Sequence, residues 1–264
     1  MRSATVAGVP GTTSAPDDVP PGTALAVGAD GARGGWLVAL ALGRGDVVER
    51  TAVRLVATLE EVVALGAADA PVCVDVPIGL PQDQEPRACD LEARERLGAR
   101  RSSVFEPPAR FLLDAADYAD ARRMIAGRPG SRGVSAQAFA LLPRIREADE
   151  HLRGTPSLQE RVHECHPEVA FAALAGELPA KRSVAGAVRR LEALRATPDL
   201  SDVAERLGAF APPARDAVLD DALDAYAALW SALRVRRGEA RRLGLRPDGA
   251  VRRDAEDLPM SIVL

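Results

Sequence analysis

Aromatic side chains are scarce in this chain of 264 residues, with five Phe, two Trp and two Tyr, 3% of the total. So few rings disfavour binding of unpaired bases by stacking and leave Ala, Val and Leu to build the core. Lysine is rarer still. Of 34 basic residues only Lys181 is a lysine, and the arginines that remain suit bidentate contacts to carboxylate or phosphate. The three cysteines, Cys73, Cys89 and Cys165, are odd in number and fit no zinc spacing, so neither a disulfide framework nor a zinc knuckle is expected and a reducing cytoplasm suits the chain. No window reaches the roughly 18 apolar residues of a membrane span. The first 22 residues lack the apolar core of a signal peptide and, rich in Gly, Pro, Ser and Thr, are expected to form a disordered tail. A net charge of −4 argues against a chain that is basic throughout, so any polyanion would have to meet local arginine patches.

What is present is 47% hydrophobic residues, enough for one sizeable core. The stretch ALAVGADGARGGWLVALAL, 24 to 42, has two apolar runs flanking a turn with Gly31, Gly34 and Gly35, and reads as a β-hairpin. Its first run is apolar on both faces and ends on a carboxylate, Asp30, which is either a turn residue bonding backbone amides or a functional acid. A third strand is expected over 47 to 56, then a short helix opened by the capping box of Thr58 and Glu61. Residues 71 to 80, PVCVDVPIGL, form another buried strand, again interrupted by an acid, Asp75.

From 82 to about 160 the pattern becomes helical and charged, with loops bearing Arg100, Arg101, Arg128 and Arg132; this reads as an insertion. Strand character returns over 161 to 171, where alternation puts Glu164 and His166 on one face and separates them from Cys165. A helix capped by Ser183 follows. The last long helix is expected from about Pro213 to Gly238, and it carries Asp220, Asp221 and Asp224 on one side about two turns from its start. Each like-charge pair there costs roughly 0.2 to 0.5 kcal/mol, so the cluster needs a reason.

If the two strands are adjacent and the helix crosses their ends, Asp30, Asp75, Asp221 and Asp224 converge. Such acids cannot all stay ionised without cations, and oxygen-only ligands point to Mg²⁺ or Mn²⁺. Glu164 is a further candidate ligand. Arg100, Arg101, Ser102 and Ser103 are candidates for holding a phosphate of the substrate.

The motifs VGADGARGGW, VCVDVPIGLP, ARRSSVF, ECHPEVAF and DDALDAYAALW resemble, in order and spacing, the uncharacterised family numbered 429 among domains of unknown function, which is described as predicted nucleases of the ribonuclease H fold. The resemblance covers about residues 24 to 264. It implies an α/β fold with a mixed five-stranded sheet in the order 3-2-1-4-5 and acids on strand 1, at strand 4 and on the last helix. Asp30, Asp75 and the Asp221/Asp224 pair match those places, the pair looking like that of the Holliday-junction resolvase branch. Ala32 stands where a cysteine is expected, a departure that touches no ligand.

The leading expectation is therefore a metal-dependent nuclease that hydrolyses phosphodiester bonds of nucleic acid, with two Mg²⁺ ions about 4 Å apart. A phosphotransferase or ATPase of the actin and sugar-kinase type is the rival, since GADGARGG resembles that family's phosphate-cradling hairpin. Such enzymes normally carry the fold twice, and no G-x-x-x-x-G-K-[ST] loop is present. A non-catalytic interaction protein on the same fold is the third reading.

Overall fold

The computed structural model describes residues 19–83, 85–128, 133–210 and 218–264. Most of the expected N-terminal tail and Arg132 lie outside them, as does the expected helix start at Pro213. Val19 and Gly22, at the end of that tail, pack onto the domain: Val19 is buried and the Gly22 amide donates to the Ala64 carbonyl.

The hairpin forms as β1 (Ala26–Ala32) and β2 (Gly35–Arg44), joined by a two-residue turn. β1 continues two residues past Asp30, so this acid sits inside the antiparallel ladder opposite Leu37 rather than at the strand's end. β3 (Val47–Val56) pairs with β2, and α1 (Leu59–Leu65) follows, its first turn capped by the Thr58 hydroxyl, which accepts from the Glu61 amide. β4 is short, Val72–Val74, and runs parallel to β1.

The expected insertion consists of α2 (Ala88–Leu97), a 3-10 helix (Gly98–Ser103), a second 3-10 helix (Arg110–Asp114), α3 (Tyr118–Ala126), α4 (Ala136–Ala140) and α5 (Leu142–Gly154). Asp117 and Ser135 cap α3 and α4 by accepting from backbone amides of their first turns. β5 (Val162–Cys165) then lies parallel to β4.

Strand character stops there. Pro167, favourable at a first helical position, opens α6 (Pro167–Ala175), so the sequence-based strand over 161 to 171 is half helix. α7 (Val184–Arg195) starts at its Ser183 cap, α8 (Val203–Ala209) occupies what reads as loop, and α9 (Leu219–Arg236) is the last long helix.

Two two-residue strands, β6 (Arg242–Leu243) and β7 (Ile262–Val263), complete the sheet, whose order is β3-β2-β1-β4-β5-β7-β6. The sheet is mixed α/β as expected, but it has seven strands rather than five. The C-terminal segment adds the two short strands, β7 beside β5 and β6 at the edge. They are held by a separate apolar cluster in which Leu243, Ile262 and Leu264 meet Cys89, Ala93 and Leu97 of α2.

Period-two alternation sorts the side chains onto the two covered faces. Val27, Ala29, Val38, Val72 and Val74 face α1 and α5, whereas Ala26, Leu37, Ala39, Cys73 and Cys165 face α9. Gly28 lies on the α9 side, and the helix comes so close there that a Cβ on Gly28 would fall 2.0 Å from the backbone nitrogen of Leu229. The contact requires glycine. We expect Gly28→Ala to push α9 off the sheet at a cost of about 1–3 kcal/mol or more, lowering the melting temperature by roughly 2–4 °C per kcal/mol; an unchanged melting curve would show that the helix can shift freely.

Candidate metal centre

The same alternation that turns Gly28 toward α9 turns Asp30, two residues on, to that face, and Asp75 follows Cys73 in the same way. The β1–β4 pairing ends at Ala29 and Val74, after which the Asp75 amide still donates to the Ala29 carbonyl at 3.0 Å. Both acids therefore leave adjacent strands side by side. Asp224 sits one residue before Ala225, whose carbonyl also touches the space above Gly28, and so reaches the same point from above.

One carboxylate oxygen from each of Asp30, Asp75 and Asp224 lies within 4.8 Å of the others. Asp30 and Asp224 are buried, and Asp75 is half-buried. Among the described residues none donates a hydrogen bond to the Asp30 carboxylate, so the rival reading as a backbone-bonding turn residue lacks its bond. Oδ1 of Asp224 is buried and has no hydrogen-bond partner. A carboxylate oxygen left in this state is a large desolvation cost unless a cation completes it. An all-oxygen donor set of this size suits a hard divalent ion, so the three residues fit one.

Burial, reinforced by Asp75, Asp224 and Asp221, pushes the Asp30 carboxyl well above the usual range. Burial also raises Asp75 to about 7 and Asp224 to about 7, in each case against the lowering effect of Lys181. The Nζ of Lys181 is bonded to Oδ2 of Asp224. It is the nearest thing to a resident cation, and sequence reasoning assigned it no role. Its one signal was composition, as the chain's sole lysine.

The acids line a cleft of about 710 Å³ together with Arg100, Ser103, Arg144, His166, Glu168, Lys181, Arg182, Asp220 and Asp221. Asp221 is at its edge rather than in the triad, its Oδ2 accepting the Val218 amide at 3.2 Å. Asp220 and Asp221 lie in the first turn of α9, where the helix dipole favours acids, and not two turns inside as the sequence suggested. Arg100 forms an ion pair with Glu168 at 2.7 Å across the cleft.

The four candidate phosphate residues do not act together. Arg100 and Ser103 face the acids, while Arg101 and Ser102 line a neighbouring groove of about 950 Å³, with Phe105 shared between the two. Arg128 is elsewhere, stacked over the Phe111 ring at 4.1 Å.

Glu164 is not brought to the centre. It pairs in register with Val74 and so points to the opposite face of the sheet from Asp30 and Asp75, a one-residue consequence of alternation. Both its oxygens are bound by Arg87, at 2.6 and 2.8 Å, and the Ile78 amide adds a third bond at 2.7 Å. Arg87 also donates to the carbonyls of Ile78 and Gly79, so this buried pair fastens the segment that follows Asp75. His166, expected beside Glu164, lies past the strand's end and lines the acidic cleft instead. Its Nε2 is 3.3 Å from the Ser103 carbonyl, which assigns the proton to that nitrogen and leaves buried Nδ1 unpartnered.

A folded-state pKa raised from 3.8 to about 7 contributes stability below about pH 4 that is lost as pH rises toward 7. In chelator we therefore expect wild type to lose stability across that window more steeply than Asp30→Asn, which removes one repelling acid. At neutral pH the variant should melt higher than wild type without a cation and lose the upward shift that Mn²⁺ gives wild type, about 2.7 kcal/mol at a hundredfold excess over Kd. Equal cation-induced shifts in the two proteins would remove Asp30 from the centre.

A family model described as a protein of unknown function, DUF429, matches residues 28–248. That is most of the chain. No curated protein and no solved structure matches it.

Proposed function

The chain belongs to the DUF429 family, and for this member we propose a divalent-cation-dependent phosphodiester hydrolase acting on nucleic acid, built on a ribonuclease H-like fold. The observation that carries the reading is the buried triad of Asp30, Asp75 and Asp224, with oxygens within 4.8 Å of one another and one of them unpartnered. The fold reading is supported by the order of the first five strands, β3-β2-β1-β4-β5, with the acids on the two central neighbours and on the helix that crosses them.

Asp30, Asp75 and Asp224 would hold Mg²⁺ or Mn²⁺, which supplies Lewis acidity toward a phosphoryl oxygen and lowers the pKa of water. The protein's own groups do the rest. Arg100, Arg144, Lys181 and Arg182 surround the acids with positive charge, so a phosphodiester entering the cleft is attracted where the bare triad would repel it. Arg144 is aimed by its Nη2, which donates to the carbonyls of Ala32 and Gly35 at 2.9 and 2.6 Å, and it lies over the Trp36 ring. The Ser103 carbonyl fixes the tautomer of His166, whose buried Nδ1 is left without a partner.

Incubation with single-stranded RNA, single-stranded DNA, duplex and four-way-junction oligonucleotides in Mn²⁺ should give cleavage of at least one substrate, abolished in Asp30→Asn and Asp75→Asn. Absence of cleavage on all four, together with ATP hydrolysis that Asp30→Asn removes, would replace this reading by phosphotransfer. Binding is tested separately. Arg100→Ala should weaken nucleic-acid binding and flatten its log–log salt slope by roughly 0.7–0.9, the loss of one phosphate contact. An unchanged slope in fluorescence anisotropy would leave Arg100 with only its Glu168 partner.

A further inference from the structure

Lys181 lies on the segment between α6 and α7, and its ammonium is bonded to Oδ2 of Asp224 while Oδ1 of the same carboxylate is buried without a partner. The side chain is 34% exposed, whereas that of Asp224 is 4% exposed, so the lysine has a route to water that the aspartate lacks. Of the arginines around the cleft, Arg100 is engaged with Glu168 and Arg144 with two backbone carbonyls, while Arg182 makes no hydrogen bond or ion pair with the described residues. A flexible four-carbon stem carrying a compact charge is the side chain suited to exchanging partners, where a guanidinium fork is not.

We propose that Lys181 is an exchangeable counter-ion: it neutralises Asp224 when no divalent cation is bound, competes with the cation for that carboxylate, and on being displaced turns its ammonium to the phosphate of the substrate. This rests on the metal-dependent reading of the cleft given above. Two charges of the same sign cannot both be held cheaply on one buried carboxylate, so binding of the cation weakens the hold of Asp224 on the lysine. The released ammonium remains in a cleft lined by Arg100, Arg144 and Arg182, where an entering phosphoryl group needs balancing charge. The charge on Asp224 is thereby balanced in turn by an internal and an external cation, and the affinity of the site for phosphate rises only after the external one has arrived.

The test is a pair of titrations by calorimetry on wild type, Lys181→Met and Lys181→Arg, with folding of each checked by its melting curve in chelator. In the first, Mn²⁺ alone is titrated. Removing the competing charge should tighten Mn²⁺ binding in Lys181→Met on the order of three- to tenfold, while Lys181→Arg, which keeps the charge on a side chain less suited to exchange, should bind Mn²⁺ no more tightly than wild type. In the second, inorganic phosphate is titrated into protein saturated with Mn²⁺, and Lys181→Met should bind it more weakly than wild type by a similar factor. Tighter Mn²⁺ with weaker phosphate is the expected pair of results. Unchanged or weaker Mn²⁺ binding in folded Lys181→Met overturns the competition, and unchanged phosphate binding overturns the transfer to substrate. Should Lys181→Met fail to fold, Lys181→Gln takes its place under the same criteria. Wild type that binds no Mn²⁺ would instead refute the metal centre itself, and the role of Lys181 with it.

Discussion

The backbone of α9 lies against β1 at a position where no side chain intervenes. Gly28 makes this approach feasible, since the nitrogen of Leu229 and the carbonyl of Ala225 occupy the place of its missing Cβ. Everything at the acidic centre follows from that contact. With the helix seated this low, Asp224 meets Asp30 two residues further along β1, and Asp75 arrives from the neighbouring strand, where its amide N–H donates a hydrogen bond to the Ala29 carbonyl. A bulkier residue at 28 would separate helix from sheet, and the three carboxylates would part with them.

Close packing carries an electrostatic consequence. Burial is the first cause that raises Asp75 and Asp224 to about 7 and lifts the Asp30 carboxyl well above the usual range, and repulsion from neighbouring acids adds to it. Lys181 relieves part of the strain by neutralising Asp224, and it leaves Oδ1 of that residue without a partner. A fold selected for stability alone has no use for such a cluster, because apolar residues of similar volume would pack there without the desolvation cost. Elsewhere the chain shows how it buries an acid for structure: Glu164 has every oxygen satisfied by Arg87 and the Ile78 amide. The contrast is between a saturated carboxylate on one face of the sheet and, on the other, an unsaturated group that could hold a cation.

Much of this was legible in the sequence, and the misses have physical causes. Asp30 and Asp75 stood out because each interrupts a dense apolar run, and Asp224 because a helix rarely places three acids on one side without need. Strand alternation also decides Glu164, but only once the register is known: it pairs with Val74, and a shift of one residue reverses its face. The apolar run after Pro167 resembles a strand in composition, and the proline is what turns it into α6. β6 has two residues, too few to show any period. Lys181 could not be placed from spacing, since it reaches Asp224 across 43 positions from an irregular segment.

The insertion between β4 and β5 is the roof of this arrangement. Its 3-10 helix supplies Arg100 and Ser103 to one wall of the cleft and Arg101 and Ser102 to the groove beside it, so two grooves meet at Phe105 next to the acids. The central claim is the cation, and anomalous scattering from a crystal soaked in Mn²⁺ tests it most directly. The expected result is a peak bounded by the carboxylates of Asp30, Asp75 and Asp224; a fully soaked crystal with no peak there, while Lys181 keeps its bond to Asp224, would contradict the account.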